Sequence, residues 1–261
     1  MRAILIVSFG TTFEDTRRKT IDVLEKRIAS EFADYKIYRA WTSKMIIEKI
    51  KKRDHIKIPT VTEAFKQMSE DGITEVIVQP THVINGVEND LMKQDANRFL
   101  NQMERIVFGE PLISSEEDGQ ICVDMIADAF SYLNKQEEYL VLMGHGTTHY
   151  VNTVYAAMDY KFKEQGHENI YVGTVEAYPE IDTLVKIINQ KKPKKIILTP
   201  FMIVAGDHAR NDMAGAEDSW KSKFEHEGYV VECVVRGLGE YEKVQELLVA
   251  HTRSAVAEME A

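Results

Sequence analysis

The sequence predicts an α/β fold built from two duplicated Rossmann-like domains, and three observations lead to it. Short continuous apolar runs at 4–8, 75–79 and 140–144 are patterned as strands buried on both faces of a parallel sheet. Stretches at helical spacing separate them, as parallel strands require to bring the chain back. The third observation is an internal repeat. Ile4-Leu5-Ile6-Val7-Ser8-Phe9-Gly10-Thr11-Thr12 aligns with Leu140 to Thr148, and both end in Gly-Thr-Thr. Ile37-Tyr38 aligns with Ile170-Tyr171, and Val76 to Pro80 with Ile196 to Pro200, in the same order. Each domain is expected to hold a mainly parallel sheet of about four strands flanked by helices, with an interdomain cleft.

Residues 4–8 read as the first strand, followed by Ile21, Leu24, Ile28 and Phe32 at helical spacing. A second strand over 36–41 precedes a charged helical stretch with Ile46, Ile47 and Ile50 on one side. Pro59 breaks the chain, and Thr60 with Glu63 forms a capping box ahead of Val61, Ala64, Phe65 and Met68. Gly72 ends that helix. Strand three, 75–79, leads through Pro80-Thr81-His82 to a helix with Leu91, Met92, Ala96, Phe99 and Met103. A short fourth strand falls within 106–115. The polar, acidic stretch 114–119 is the best linker, so the domains are expected over 1–118 and 119–261. Segments 119–137 and 240–260, both amphipathic, are free to pack across that boundary.

Composition narrows the function. The 261 residues are 44% hydrophobic and 28% charged, as in ordinary globular proteins. A net charge of -10 argues against a nucleic-acid partner, which would demand a basic face. Cys122 and Cys233 have no CxxC spacing and read as buried thiols in a reducing compartment. No segment approaches the roughly 18 apolar residues of a membrane span. The opening apolar run is too short for an export signal. No membrane partner and a cytoplasmic location are expected.

Polar residues present in only one copy of the repeat mark where function was added. His145 stands opposite Phe9, Glu176 opposite Ser43 and His208 opposite Glu88, each just beyond a strand carboxyl end of the second half. In open α/β sheets ligands gather at that edge. Two imidazoles and one carboxylate, with positions left open, suit a divalent first-row metal that must meet an incoming ligand. Each residue has a plainer explanation. His145 could fill a glycine turn, Glu176 could face a helix N-terminus, and His208 could bond to Asp207 or Asp212. His82 ends strand three of the first half, where it could face the cleft, as could Glu88 beyond the following loop.

These segments resemble a known family. Ser8-Phe9-Gly10-Thr11-Thr12, Gly144-His145-Gly146-Thr147, Val175-Glu176-Ala177-Tyr178-Pro179 and the run Met202 to Met213, which contains Gly206-Asp207-His208, are similar to the anaerobic sirohydrochlorin cobaltochelatases, class II chelatases of cobalamin biosynthesis. The resemblance covers almost the whole chain. It implies a metal-free tetrapyrrole and a divalent metal as partners, with Co²⁺ inserted without ATP and no cofactor beyond the substrate metal. The family's catalytic histidines fall on His145 and His208 and its metal-binding carboxylate on Glu176, with His145 expected to take a pyrrole proton. Phe9, Thr11, His82, Glu88 and Thr147 are the expected substrate contacts, and Arg98 and Arg210 are candidates for its carboxylates. Insertion of Fe²⁺ or Ni²⁺, a non-catalytic metal or tetrapyrrole carrier, and a metal-dependent hydrolase stand as alternatives. A homo-oligomer is compatible with all of them.

Overall fold

The apolar runs form the central strands of two separate sheets. The computed structural model describes residues 1–261. Its first sheet contains β1 (Arg2–Ser8), β2 (Lys36–Trp41), β3 (Glu75–Pro80) and β4 (Arg105–Phe108), all parallel, in the order β2-β1-β3-β4. The second sheet contains β5 (Glu138–Gly144), β6 (Ile170–Thr174), β7 (Lys195–Pro200) and β8 (Val230–Cys233), parallel in the order β6-β5-β7-β8. The same order twice is the structural form of the repeat. In β1 and β5 every residue after the first is buried, which is why both read as unbroken apolar runs. The edge strand β8 alternates between exposed and half-buried positions.

Helices α1 (Glu14–Lys19), α2 (Ile21–Glu31), α3 (Lys44–Asp54), α4 (Val61–Glu70) and α5 (Val87–Asn97) connect the first sheet. The Thr60–Glu63 capping box opens α4. This helix buries Val61, Ala64, Phe65 and Met68, and Phe65 stacks on Phe99 with ring centroids 5.0 Å apart. The helix expected from Ile21, Leu24 and Ile28 is α2, and the short α1 before it was not expected. The chain bends at Thr20, whose hydroxyl donates to the Thr16 carbonyl at 2.6 Å, and Ile21, Leu24 and Ile28 then bury from α2. The second sheet is joined by α6 (Glu116–Ala129), α7 (Thr153–Glu164), α8 (Ile181–Lys191) and α9 (Trp220–His226), and α10 (Glu242–Glu260) ends the chain.

Two compact units result: Met1–Ser114 together with Gly239–Ala261, and Ser115–Leu238. The second unit begins at Ser115, ahead of the expected 119, where the Ser115 hydroxyl and the Asp118 carboxylate form the box that starts α6. The last helix, which the sequence left free to pack across the boundary, joins the first unit, where α10 packs on α2, β3 and β4. Arg27 of α2 donates to the Glu242 carboxylate at 3.0 Å, and Arg105 of β4 donates to the Glu258 carbonyl at 2.7 Å. Leu248 and Met259 are buried there. No helix is long and apolar enough to cross a membrane.

Candidate metal centre

Three connections beyond strand carboxyl ends of the second unit bring His145, Glu176 and His208 together. One ligating atom from each lies within 4.8 Å of the others. Cis donors on a metal with bonds near 2.1 Å stand about 3.0–3.4 Å apart, so the three atoms would draw together to hold an ion. The side chains keep 36%, 55% and 30% of their surface exposed, respectively, leaving room for an incoming ligand.

The strand end sets His145. Gly144 is required because a Cβ there would run into the Tyr155 ring, and Gly146 adopts φ +86° where a Cβ would meet the Ala177 nitrogen at 2.9 Å. Tyr155 is buried, and its hydroxyl accepts from the backbone N–H groups of His145 and Gly146. Desolvation still dominates and pushes its pKa up to about 12. The His145 Nδ1 lies 2.9 Å from the Gly146 carbonyl. A carbonyl only accepts, so Nδ1 carries the proton and Nε2 presents its lone pair.

Glu176 is fastened to the same strand end. Its N–H donates to the His145 carbonyl at 2.9 Å, and the Val175 N–H donates to the Gly144 carbonyl at 3.0 Å. Its carboxylate lies 3.7 Å from the His145 Nδ1. Helix α8 begins only at Ile181, so Glu176 is not a helix N-terminal carboxylate. The loop includes a cis peptide bond between Tyr178 and Pro179. Asn152 ties the two loops together, accepting from the Thr147 N–H at 3.1 Å and donating to the Tyr178 carbonyl at 2.6 Å.

His208 immediately precedes a π-helical turn, Ala209–Met213, a rare geometry frequent at functional sites. Its ring meets that of His145 edge to face, with centroids 4.7 Å apart and planes at 87°. The turn carries Asp212 to 2.5 Å from the His208 Nδ1, while Asp207 is taken by Asn211 at 3.0 Å. The bonded-histidine explanation thus holds for Asp212, and it favours the metal reading. A carboxylate on Nδ1 fixes the tautomer and strengthens Nε2 as a ligand.

Of the other expected site residues, Thr147 belongs to this centre's own loop. Its N–H goes to Asn152, and its hydroxyl accepts from His149 at 3.2 Å. Phe9, Thr11, His82 and Glu88 lie at the carboxyl edge of the first unit's sheet, and the Thr11 hydroxyl accepts from the Phe13 N–H at 3.2 Å. His82 is buried with Nδ1 3.4 Å from the Asn89 side-chain oxygen, and burial lowers its pKa. The Asp212 contribution could be read from its spacing of four residues after His208. Asn152 and Tyr155 gave no sequence signal.

A parallel sheet whose carboxyl edge gathers two imidazoles and one carboxylate has the donor set to hold a divalent metal with positions left open. The comparisons specify the kind of protein. The chain matches the cobalt chelatase (CbiK) family over residues 2–257. It is 36% identical to a sirohydrochlorin cobaltochelatase of Salmonella typhimurium over 256 residues, spanning 98% of this chain and 96% of the relative. It is 28% identical to the sirohydrochlorin cobaltochelatase CbiKC of Nitratidesulfovibrio vulgaris over 262 residues, spanning 99% and 92%. In fold it is similar to SirB from Bacillus subtilis, with a TM-score of 0.67 at 13% identity, covering 99% of this chain and 97% of that one. The chain belongs to the cobalt chelatase family, and it is a metal chelatase.

Proposed function

We propose that this chelatase inserts Co²⁺ into sirohydrochlorin in cobalamin biosynthesis, and that His145, Glu176 and His208 are the residues that hand over the metal. The observation that carries the assignment is the convergence of their three ligating atoms within 4.8 Å on one sheet edge. With coordination positions left open, the macrocycle nitrogens can displace water and then replace protein ligands one at a time. A closed four-ligand site would retain its ion.

Insertion also releases two pyrrole protons. A nitrogen bound to metal cannot accept one, so the histidine that acts as base must first be free of the metal. The His208 Nδ1–H points at the Asp212 carboxylate, and the His145 Nδ1 lies 2.9 Å from the Gly146 carbonyl and 3.7 Å from the Glu176 carboxylate, so each imidazole keeps Nε2 for metal or proton. One pyrrole proton then passes to an imidazole that has released the metal, and the second passes to solvent water. The same reading places the enzyme in the cytoplasm, where Cys122 and Cys233 remain free thiols.

The experiment follows the visible absorption of sirohydrochlorin after addition of Co²⁺, with the protein and without it. Faster formation of the cobalt complex is expected with the protein. Absence of any acceleration would refute cobalt insertion into this substrate, and acceleration with Fe²⁺ or Ni²⁺ alone would reassign the metal.

A further inference from the structure

The two units set unlike loops behind the same strand order. Between β6 and α8 the second unit has only residues 175–180, which include Glu176. Between β2 and α4 the first unit has residues 42–60, folded as α3 and a returning segment. This insertion stays at the carboxyl edge of its sheet. The Ser43 N–H donates to the Phe9 carbonyl at 3.3 Å, Trp41 N–H to the Pro59 carbonyl at 3.0 Å, and Arg53 to the Thr12 carbonyl at 2.7 Å.

Its charge is one-sided. Ile47, Ile50 and Ile58 are buried beneath it, while Lys44, Lys49, Lys51, Lys52 and Lys57 stand exposed. From 44 to 57 the only acids are Glu48 and Asp54, in a chain whose net charge is -10. Asp54 is occupied by Arg53, paired at 2.7 Å. Glu63, which feels the charges of Lys51 and Lys57, is held in the Thr60 cap. None of the five lysines is in an ion pair, and the stretch from 44 to 57 is left net positive. Ile47 and Ile50 point into the unit, leaving Met45 and Ile56 as the insertion's exposed apolar side chains, too few for the continuous apolar face of a membrane-binding helix.

We infer that this insertion is the surface on which the carboxylate side chains of the tetrapyrrole are captured. The inference rests on the sirohydrochlorin reading above. Without such a patch an acidic protein would repel a polycarboxylate substrate. A local field of exposed lysines raises its concentration and association rate, and does so less as salt screens it.

The test compares the full-length wild type with K49Q/K51Q/K52Q, titrating each with sirohydrochlorin at low and at high KCl, and separately with Co²⁺ alone. The wild type should lose sirohydrochlorin affinity as KCl rises. The variant should bind sirohydrochlorin about tenfold more weakly at low salt, with a flatter salt dependence. The Co²⁺ affinity should stay at the wild-type value, and Lys→Arg at the same positions should restore macrocycle binding. A variant with wild-type affinity and salt dependence would overturn the capture surface, even if the wild type inserts cobalt. A wild type that neither binds nor metallates sirohydrochlorin would overturn the functional reading, and the capture surface with it.

Discussion

Asp212 shows how a residue outside the ligand set can govern it. Its carboxylate accepts from the His208 Nδ1 and so leaves Nε2 to face the centre. Asp212→Asn should lower the cobalt insertion rate by about 10- to 100-fold, the usual cost of losing such a carboxylate partner. A rate within a factor of two would show that His208 needs no such support. Asn152→Ala should free the Thr147 loop from the Tyr178 loop and weaken Co²⁺ binding with little change in melting temperature, checked by metal titration and thermal denaturation. His145, Glu176 and His208 were legible in the sequence because each stands where the other copy of the repeat has a different residue. Asn152 was not legible, because its partner carbonyl lies 26 residues away and only the folded loops bring it near.

At the scale of elements, the end of β5 is fixed by an exchange of volume. Gly144 leaves the space that the buried Tyr155 ring of α7 fills, and the Tyr155 hydroxyl meets the His145 and Gly146 N–H groups. Gly144→Ala should cost about 1–3 kcal/mol by overpacking and should misplace His145. The check is denaturant unfolding together with Co²⁺ affinity, and both should fall. Tyr155→Phe keeps the volume and removes the hydroxyl, so it should weaken Co²⁺ binding more than stability. The central strands were legible because burial on both faces leaves an uninterrupted apolar run. Helix α1 was not legible, since it buries only Thr16 and so carries no apolar spacing.

At the scale of the molecule, the chain crosses between units twice. The helix after β4 belongs to the second unit, and the helix after β8 returns to the first. An amphipathic helix fits either sheet, which is why the sequence left the place of α10 open. Leu248→Ala in α10 should cost about 2–5 kcal/mol. Hydrogen exchange should show the loss in Met1–Ser114 before Ser115–Leu238, and an equal loss in both would contradict the assignment of α10. Acid acts on the first unit as well. Burial holds His82 below its ordinary value of 6.5, so the unfolded chain binds the proton more readily than the fold does. Stability from this group is complete above about pH 6.5 and is lost below it, by up to about 1.4 kcal/mol per pH unit. Thermal melts should fall as the pH drops below about 6.5, and His82→Gln should flatten that fall. What joins these scales is the claim that one sheet edge holds Co²⁺ through two imidazoles and a carboxylate and then gives it up. X-ray absorption of the Co²⁺-loaded protein without macrocycle tests it most directly. The account predicts two imidazole nitrogens in a shell completed by oxygen, with one imidazole lost in His145→Ala and one in His208→Ala. A shell without imidazole, or one unchanged by both substitutions, would contradict it.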